Sequence, residues 1–133
     1  MFEFLEKRKV WLVYIPLVIY WLILFSATSL PAPDLPSIGI SDKIAHLSAF
    51  FCLSVLLTLT LIFQRKSKLF FYNNYLAALV ICLIYAAIDE LHQILIPGRS
   101  AELLDWIADG GGALLGILIT RFLIIKLNYQ PSY

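Results

Sequence analysis

Charged side chains are scarce in this chain of 133 residues, since Lys, Arg, Asp and Glu together make up 14% of it. An average soluble domain contains about 25% of them. Apolar residues account for 61% of the sequence, and the mean hydropathy is +0.86. This composition excludes an ordinary soluble domain and indicates an integral membrane protein. The length leaves room for a single domain.

Cysteine is also rare, with only Cys52 and Cys82, both inside apolar stretches. Their spacing fits neither a thiolate metal site nor a disulfide framework. We interpret both as small buried apolar side chains. The basic residues form no surface interleaved with aromatic residues, so nucleic acid is not an expected partner.

Four stretches are apolar and long enough to cross a bilayer, which takes about 20 residues per helix. They are Val10–Ser29, Ile44–Phe63, Phe70–Ile96 and Trp106–Ile125. The first stretch follows basic residues as a signal peptide would, but its apolar run is too long for one. The sequence therefore predicts an all-α integral membrane protein, with residues 1–133 forming one four-helix transmembrane bundle.

Basic residues concentrate on one side of these spans. Eight of the ten lie there: Lys7, Arg8, Lys9, Arg65, Lys66, Lys68, Arg121 and Lys126. The opposite side carries seven acidic residues: Asp34, Asp42, Asp89, Glu90, Glu102, Asp105 and Asp109. The positive-inside rule then places both termini in the cytoplasm and the two acidic loops outside. The tail Asn128–Tyr133 is expected to fray.

Polar residues cluster at the outer ends of the last three spans. The run Asp89–Gln93 ends the third span, and the pairs Asp42/His46 and Asp105/Asp109 each share a helix face through their spacing of four. Ionisable side chains in a membrane helix cost a few kcal/mol and mark functional sites. Antiparallel packing through short outer loops would bring all three groups to one depth. Asp109 lies deepest and needs a partner such as Arg99 or Lys43.

Simpler interpretations exist for several of these residues. Asp42 would favour the dipole of a helix capped by Ser41. Lys43 and Arg99 would bind lipid phosphate groups. Glu90 and Glu102 would point to solvent. Similarly, Gly112 and Gly116 form a close-packing pair that serves equally well inside the chain or in a homo-oligomer.

The ordered set of motifs resembles the VanZ-like family of small bacterial membrane proteins. The resembling segments are Ser41–His46 with Phe50, Asp89–Gln93, Pro97–Arg99, Asp105, Ala108–Asp109, Gly112 and Gly116. The resemblance implies a multi-pass protein of the bacterial cytoplasmic membrane with its polar site facing the periplasm or the extracellular side. It also implies action on a lipid head group or lipid-linked envelope precursor, and lowered sensitivity to glycopeptides such as teicoplanin.

Within that resemblance, one hypothesis is an enzyme that cleaves or exchanges a head group at a phosphate linkage. His46 would be the general base or nucleophile, with Asp42 or Asp89 orienting its imidazole. Lys43 and Arg99 would neutralise phosphate charge. Asp105 and Asp109 would hold Arg99 or bind a divalent cation; no cofactor motif is evident. The predicted catalytic residues are His46, Asp42, Asp89 and Glu90, and the predicted substrate-binding residues are Lys43, Gln93, Arg99, Asp105 and Asp109.

Two alternatives stay open. A non-catalytic module would bind or mask envelope precursors, and it would depend more on Arg99 than on His46. A structural polar network would instead lose its fold whenever Asp89 or Asp109 is neutralised.

Overall fold

The structure, a computed structural model, describes residues 1–31 and 42–131. These ranges are helical, without strands. The elements are α1 (Phe2–Lys7), a π-helical segment (Val10–Tyr14), α2 (Ile15–Thr28), α3 (Asp42–Phe63), α4 (Lys68–Tyr72), α5 (Asn74–Gln93) and α6 (Leu103–Lys126). The predicted first outer loop beyond residue 31, and the predicted Ser41 cap, lie outside the described residues.

Four helices are long and apolar enough to cross a membrane, which confirms the predicted all-α bundle. They are Val10–Thr28, Asp42–Phe63, Asn74–Gln93 and Leu103–Lys126. The third span lies inside the predicted stretch Phe70–Ile96 and begins at Asn74, because the helix is interrupted at Asn73. The Asn73 backbone leaves helical geometry, and its side-chain amide donates to the Leu69 carbonyl oxygen. The apolar residues before that break form the separate helix α4.

The first span begins with a wider helical turn, the π-helical segment Val10–Tyr14, just before Pro16. Proline has no N–H to donate to the carbonyl four residues earlier, so the regular α-helical ladder cannot continue through this position. The span is also the least buried of the four. Its Tyr20 hydroxyl donates to the Ala49 carbonyl oxygen on α3 at 3.0 Å.

The tightest packing in the bundle joins α3 to α6 at two glycines. A Cβ atom at Gly112 would overlap the Leu47 backbone, and one at Gly116 would overlap the Phe51 carbonyl oxygen and the Ser54 side chain. Small residues allow this close approach of two backbones. Gly112 and Gly116 therefore pack inside the chain, the first of the two uses that the sequence left open.

Both ends of the described chain lie at one end of the bundle. Glu6 pairs with Arg65 from the loop after α3 and accepts a hydrogen bond from the Tyr129 hydroxyl at 2.6 Å. Phe2 also packs on the Tyr129 ring. The expectation of a frayed tail is thus wrong as far as Tyr129, because a buried aromatic ring and a carboxylate hold it. The assignment of this end to the cytoplasm remains a prediction from the charges.

The two cysteines differ in burial. Cys82 is buried as predicted, but Cys52 lies on the outer surface of the bundle, where the prediction of burial is wrong. An apolar stretch alone does not tell which of its faces packs inward.

Candidate functional site

In the part of the chain that the structure describes, four carboxylates are buried at the other end of the bundle. The exposed fraction is 3% for Asp89 and 6% for Glu90, both on α5. It is 4% for Asp105 and 0% for Asp109, both on α6. Burying a charge is costly unless it is paired and hydrogen-bonded. The partners of these four groups therefore define the site.

Asp109 is paired with His46. The Asp109 Oδ1 atom lies 3.0 Å from His46 Nδ1, and the imidazole is 10% exposed. The close packing of Gly112 on Leu47 brings α6 against α3 at this level, which places Asp109 beside His46. The sequence had assigned Asp42 or Asp89 to orient this imidazole. The observed partner is Asp109 instead, since it lies on the helix that packs most closely on α3.

Asp105 is paired with Lys43. The Lys43 ammonium contacts Asp105 Oδ1 at 2.8 Å and Glu102 Oε2 at 3.0 Å, while 42% of its side chain stays exposed. The Glu102 side chain is 51% exposed, so the predicted solvated charge also serves as an ion-pair partner. One expectation is corrected here: the described contacts of Asp105 and Asp109 are with Lys43 and His46 rather than with Arg99.

Asp89 belongs to a separate network that ties α5 to the end of α2. Its Oδ1 accepts from the Thr28 hydroxyl at 2.7 Å, and its Oδ2 accepts from Gln93 Nε2 at 3.0 Å. Arg99 donates to Gln93 Oε1 at 3.1 Å. It also donates to the carbonyl oxygens of Ala27 and Leu30, at 3.0 and 2.9 Å.

This second network caps the C-terminal end of α2, where backbone carbonyls have no helical partner and attract a cation. Arg99 is therefore engaged within the protein, and its role as a phosphate ligand stays a prediction. Thr28 is the participant that the sequence reasoning missed. A hydroxyl residue that ends an apolar span could have been a signal for it.

Glu90 faces the interior, contrary to the expectation that it points to solvent. Its Oε2 accepts from the Glu102 backbone N–H at 2.8 Å. Its Oε1 is buried and has no hydrogen-bond partner among the described residues, and the same holds for Asp109 Oδ2. Asp42, in contrast, is exposed.

We call His46, Glu90 and Asp109 the central cluster. One nitrogen or oxygen atom from each of the three lies within 4.8 Å of the others. A second group with the same spacing comprises Asp42, His46 and Asp105. Among the predicted residues, the structure thus brings Asp42, Glu90, Asp105 and Asp109 together around His46, with Lys43 at the margin. The predicted residues Asp89, Gln93 and Arg99 lie in the second network.

A family model described as VanZ/LLP1 matches residues 6–125. The chain belongs to this VanZ family. No curated protein and no solved structure matches it. Both polar networks of this VanZ-family protein lie inside the matched range. The family resemblance noted from the motifs is thereby confirmed.

Proposed function

We propose that this VanZ-family protein acts at the phosphate linkage of a lipid head group or of a lipid-linked cell-envelope precursor. The observation that carries the proposal is the position of the partly exposed Lys43 ammonium beside the buried central cluster. In that cluster, Glu90 Oε1 and Asp109 Oδ2 have no hydrogen-bond partner among the described residues. Lys43 lies three residues before His46 on α3, so the cation and the cluster share one helix end.

Lys43 supplies the charge that a phosphate group requires. Its contacts with Asp105 and Glu102 hold the ammonium in place, while its exposed part remains accessible from the end of the bundle. Charge-assisted hydrogen bonds to phosphate oxygens are roughly twice as strong as neutral ones. They would also stabilise negative charge that develops as the linkage reacts.

The central cluster supplies acceptors for the attacking water. In hydrolysis, the water oxygen forms a bond to phosphorus, and the bond from phosphorus to the leaving oxygen breaks. The proton lost by water passes to the cluster and then to the leaving alcohol. The products are a phosphate monoester and an alcohol. An acceptor alcohol in place of water would exchange the head group.

The charge distribution supports an outer-leaflet location. The end of the bundle that holds Glu6, Arg65 and Tyr129 also adjoins most of the basic residues, and the site lies at the opposite end. The positive-inside rule would place that basic end in the bacterial cytoplasm and the site toward the periplasm or the exterior. A change in outer-leaflet precursors would also be a route to lower glycopeptide sensitivity, which the family resemblance implies.

Liposomes with the purified protein test the proposal. They would contain bacterial phospholipids with lipid-linked precursors, and mass spectrometry would follow release or exchange of head groups. We expect turnover with the intact protein and with Glu3→Gln, a change at the opposite end of the bundle. We expect none with His46→Ala at equal folded content.

Equal turnover in His46→Ala and intact protein would overturn the enzymatic proposal. Lipid binding by the intact protein without any turnover would also overturn it, and would favour the binding module.

A further inference from the structure

We infer that His46, Glu90 and Asp109 bind a divalent transition-metal cation, of the Zn²⁺ or Mn²⁺ kind. The inference rests on the proposed function in one respect, because the cation would serve the same site. There it would activate the attacking water, in place of the free acceptors of the cluster. It stands on three observations of the central cluster: unpaired buried oxygens, ligand spacing and charge.

Two buried oxygens of the cluster have no hydrogen-bond partner within residues 1–31 and 42–131. They are Glu90 Oε1 and Asp109 Oδ2, on side chains that are 6% and 0% exposed as residues. An unsatisfied buried acceptor costs about 1–3 kcal/mol, and more when it is charged. Native structures therefore place a partner at such atoms. Both orphan oxygens belong to carboxylates of one cluster, so a cation bound there would neutralise both groups.

The spacing of the ligand atoms fits a metal ion. His46 Nδ1 and Asp109 Oδ1 are 3.0 Å apart. With bonds of about 2.1 Å, adjacent ligand atoms are about 3.0 Å apart in an octahedral site and about 3.4 Å apart in the tetrahedral site usual for Zn²⁺, so the observed spacing is closer to the octahedral value. The cation would take the place of the proton between these atoms, and a Glu90 oxygen lies within 4.8 Å of both residues' ligand atoms.

The charges of the cluster also call for a cation. Glu90 and Asp109 are two buried carboxylates, and the imidazole can offset at most one of them. The nearest lysine, Lys43, is engaged by Asp105 and Glu102. Arg99 is engaged by Gln93 and by carbonyl oxygens at the end of α2. A divalent ion would balance both carboxylates.

The donor set selects the kind of ion. An imidazole nitrogen with two carboxylate oxygens suits Zn²⁺ and Mn²⁺, whereas Ca²⁺ prefers oxygen ligands alone. The neighbouring group of Asp42, His46 and Asp105 is a poorer site. Asp42 is exposed, and Asp105 already has the Lys43 ammonium at 2.8 Å.

Direct metal binding to the full-length protein in detergent tests this inference. The protein would be stripped with chelator, incubated with Zn²⁺ or Mn²⁺, passed through gel filtration and assayed by mass spectrometry for metal per chain. We expect one ion per chain. The affinity for the metal ion should fall by at least roughly tenfold in Glu90→Gln and in Asp109→Asn. Milder changes, to residues that only support a metal's ligands, already have an effect of about this size. Asp42→Asn and Glu3→Gln should bind as the intact protein does.

Metal at background level in the intact protein would overturn the inference. So would loss of binding in Asp42→Asn with full binding in Glu90→Gln, because the ion would then occupy the other group. If the cluster variants do not fold, X-ray absorption of the Zn²⁺-loaded intact protein decides. One imidazole with oxygen neighbours, together with unchanged Zn²⁺ binding in Asp42→Asn, supports the site, and sulfur or several imidazoles contradict it.

The inference and the proposed function fail in different ways. Bound metal without lipid turnover contradicts the function and leaves the site standing. Lipid turnover by protein shown to be metal-free contradicts the site and leaves the function standing.

Discussion

Asp89 and Glu90 are adjacent in the sequence, yet their carboxylates belong to different networks. Asp89 accepts hydrogen bonds from Thr28 and Gln93, while Glu90 accepts from the Glu102 backbone and joins the central cluster. Successive residues of an α-helix point about 100° apart, since a turn contains 3.6 residues. On helix α5, Asp89 thus contacts the end of α2, and the next residue, Glu90, belongs to the central cluster.

This division predicts opposite effects of two conservative changes. Thr28→Val removes the hydroxyl donor to buried Asp89 and should lower the free energy of unfolding by about 1–3 kcal/mol, with head-group turnover per folded molecule retained. Glu90→Gln should abolish turnover while the protein stays folded. Chemical unfolding in detergent and the liposome assay would measure the two effects. Loss of turnover in folded Thr28→Val would contradict the division.

The α3–α6 contact predicts a contrast between neighbouring glycines. Gly112→Ala should destabilise the bundle by about 1–3 kcal/mol, because its methyl group would overlap the Leu47 backbone. Gly111→Ala is the matched control, since no atom lies within 4 Å of a Cβ there. Alanine should be neutral or favourable at that position by up to about 1 kcal/mol. Equal thermal stability of the two variants would refute the packing account.

Lys43 is predicted to bind the phosphate group. Lys43→Met should weaken lipid binding about tenfold, equivalent to about 1.4 kcal/mol, and Lys43→Arg should recover part of that loss. Lys66→Met, an exposed change in the loop after α3, is the control. Lipid titrations with each variant in nanodiscs would measure the affinities. An unchanged lipid affinity in Lys43→Met would show that Lys43 is not part of the lipid-binding site.

The contact between Tyr129 and Glu6 predicts a pH dependence. Burial raises the pKa of the Tyr129 phenol above its usual value, and the hydrogen bond to Glu6 adds to this. The stability from this contact is therefore fully present below about pH 10, the ordinary tyrosine pKa. It declines above that pH, because the unfolded chain then loses the proton first.

The variant Tyr129→Phe removes the hydroxyl group and so isolates the stability that the contact with Glu6 contributes. Near neutral pH it should cost about 1 kcal/mol of unfolding free energy, and the difference from the intact protein should shrink at alkaline pH. A difference that grows as the pH rises above 10 would contradict the assignment.

The sequence predicted the four spans and the end of the bundle where polar residues meet, because both follow from hydropathy and from residues spaced four apart. It could not assign the pairs. Whether Asp89 or Asp109 meets His46 depends on how α3, α5 and α6 are rotated about their axes, and Gly112 fixes that rotation for α6. The prediction that Glu90 points to solvent was wrong for the same reason, because the positions of the neighbouring helices decide which face of a helix is buried.

If the site acts chemically on lipid head groups, the lipids of the cell should change in a way that depends on His46. Comparative mass spectrometry of membrane lipids and lipid-linked precursors would measure this in cells that express the intact protein, His46→Ala or Glu3→Gln at matched levels. We expect the same head-group change with the intact protein and Glu3→Gln, and none with His46→Ala. Identical lipid profiles in all three strains would show that the site does not act on lipid head groups.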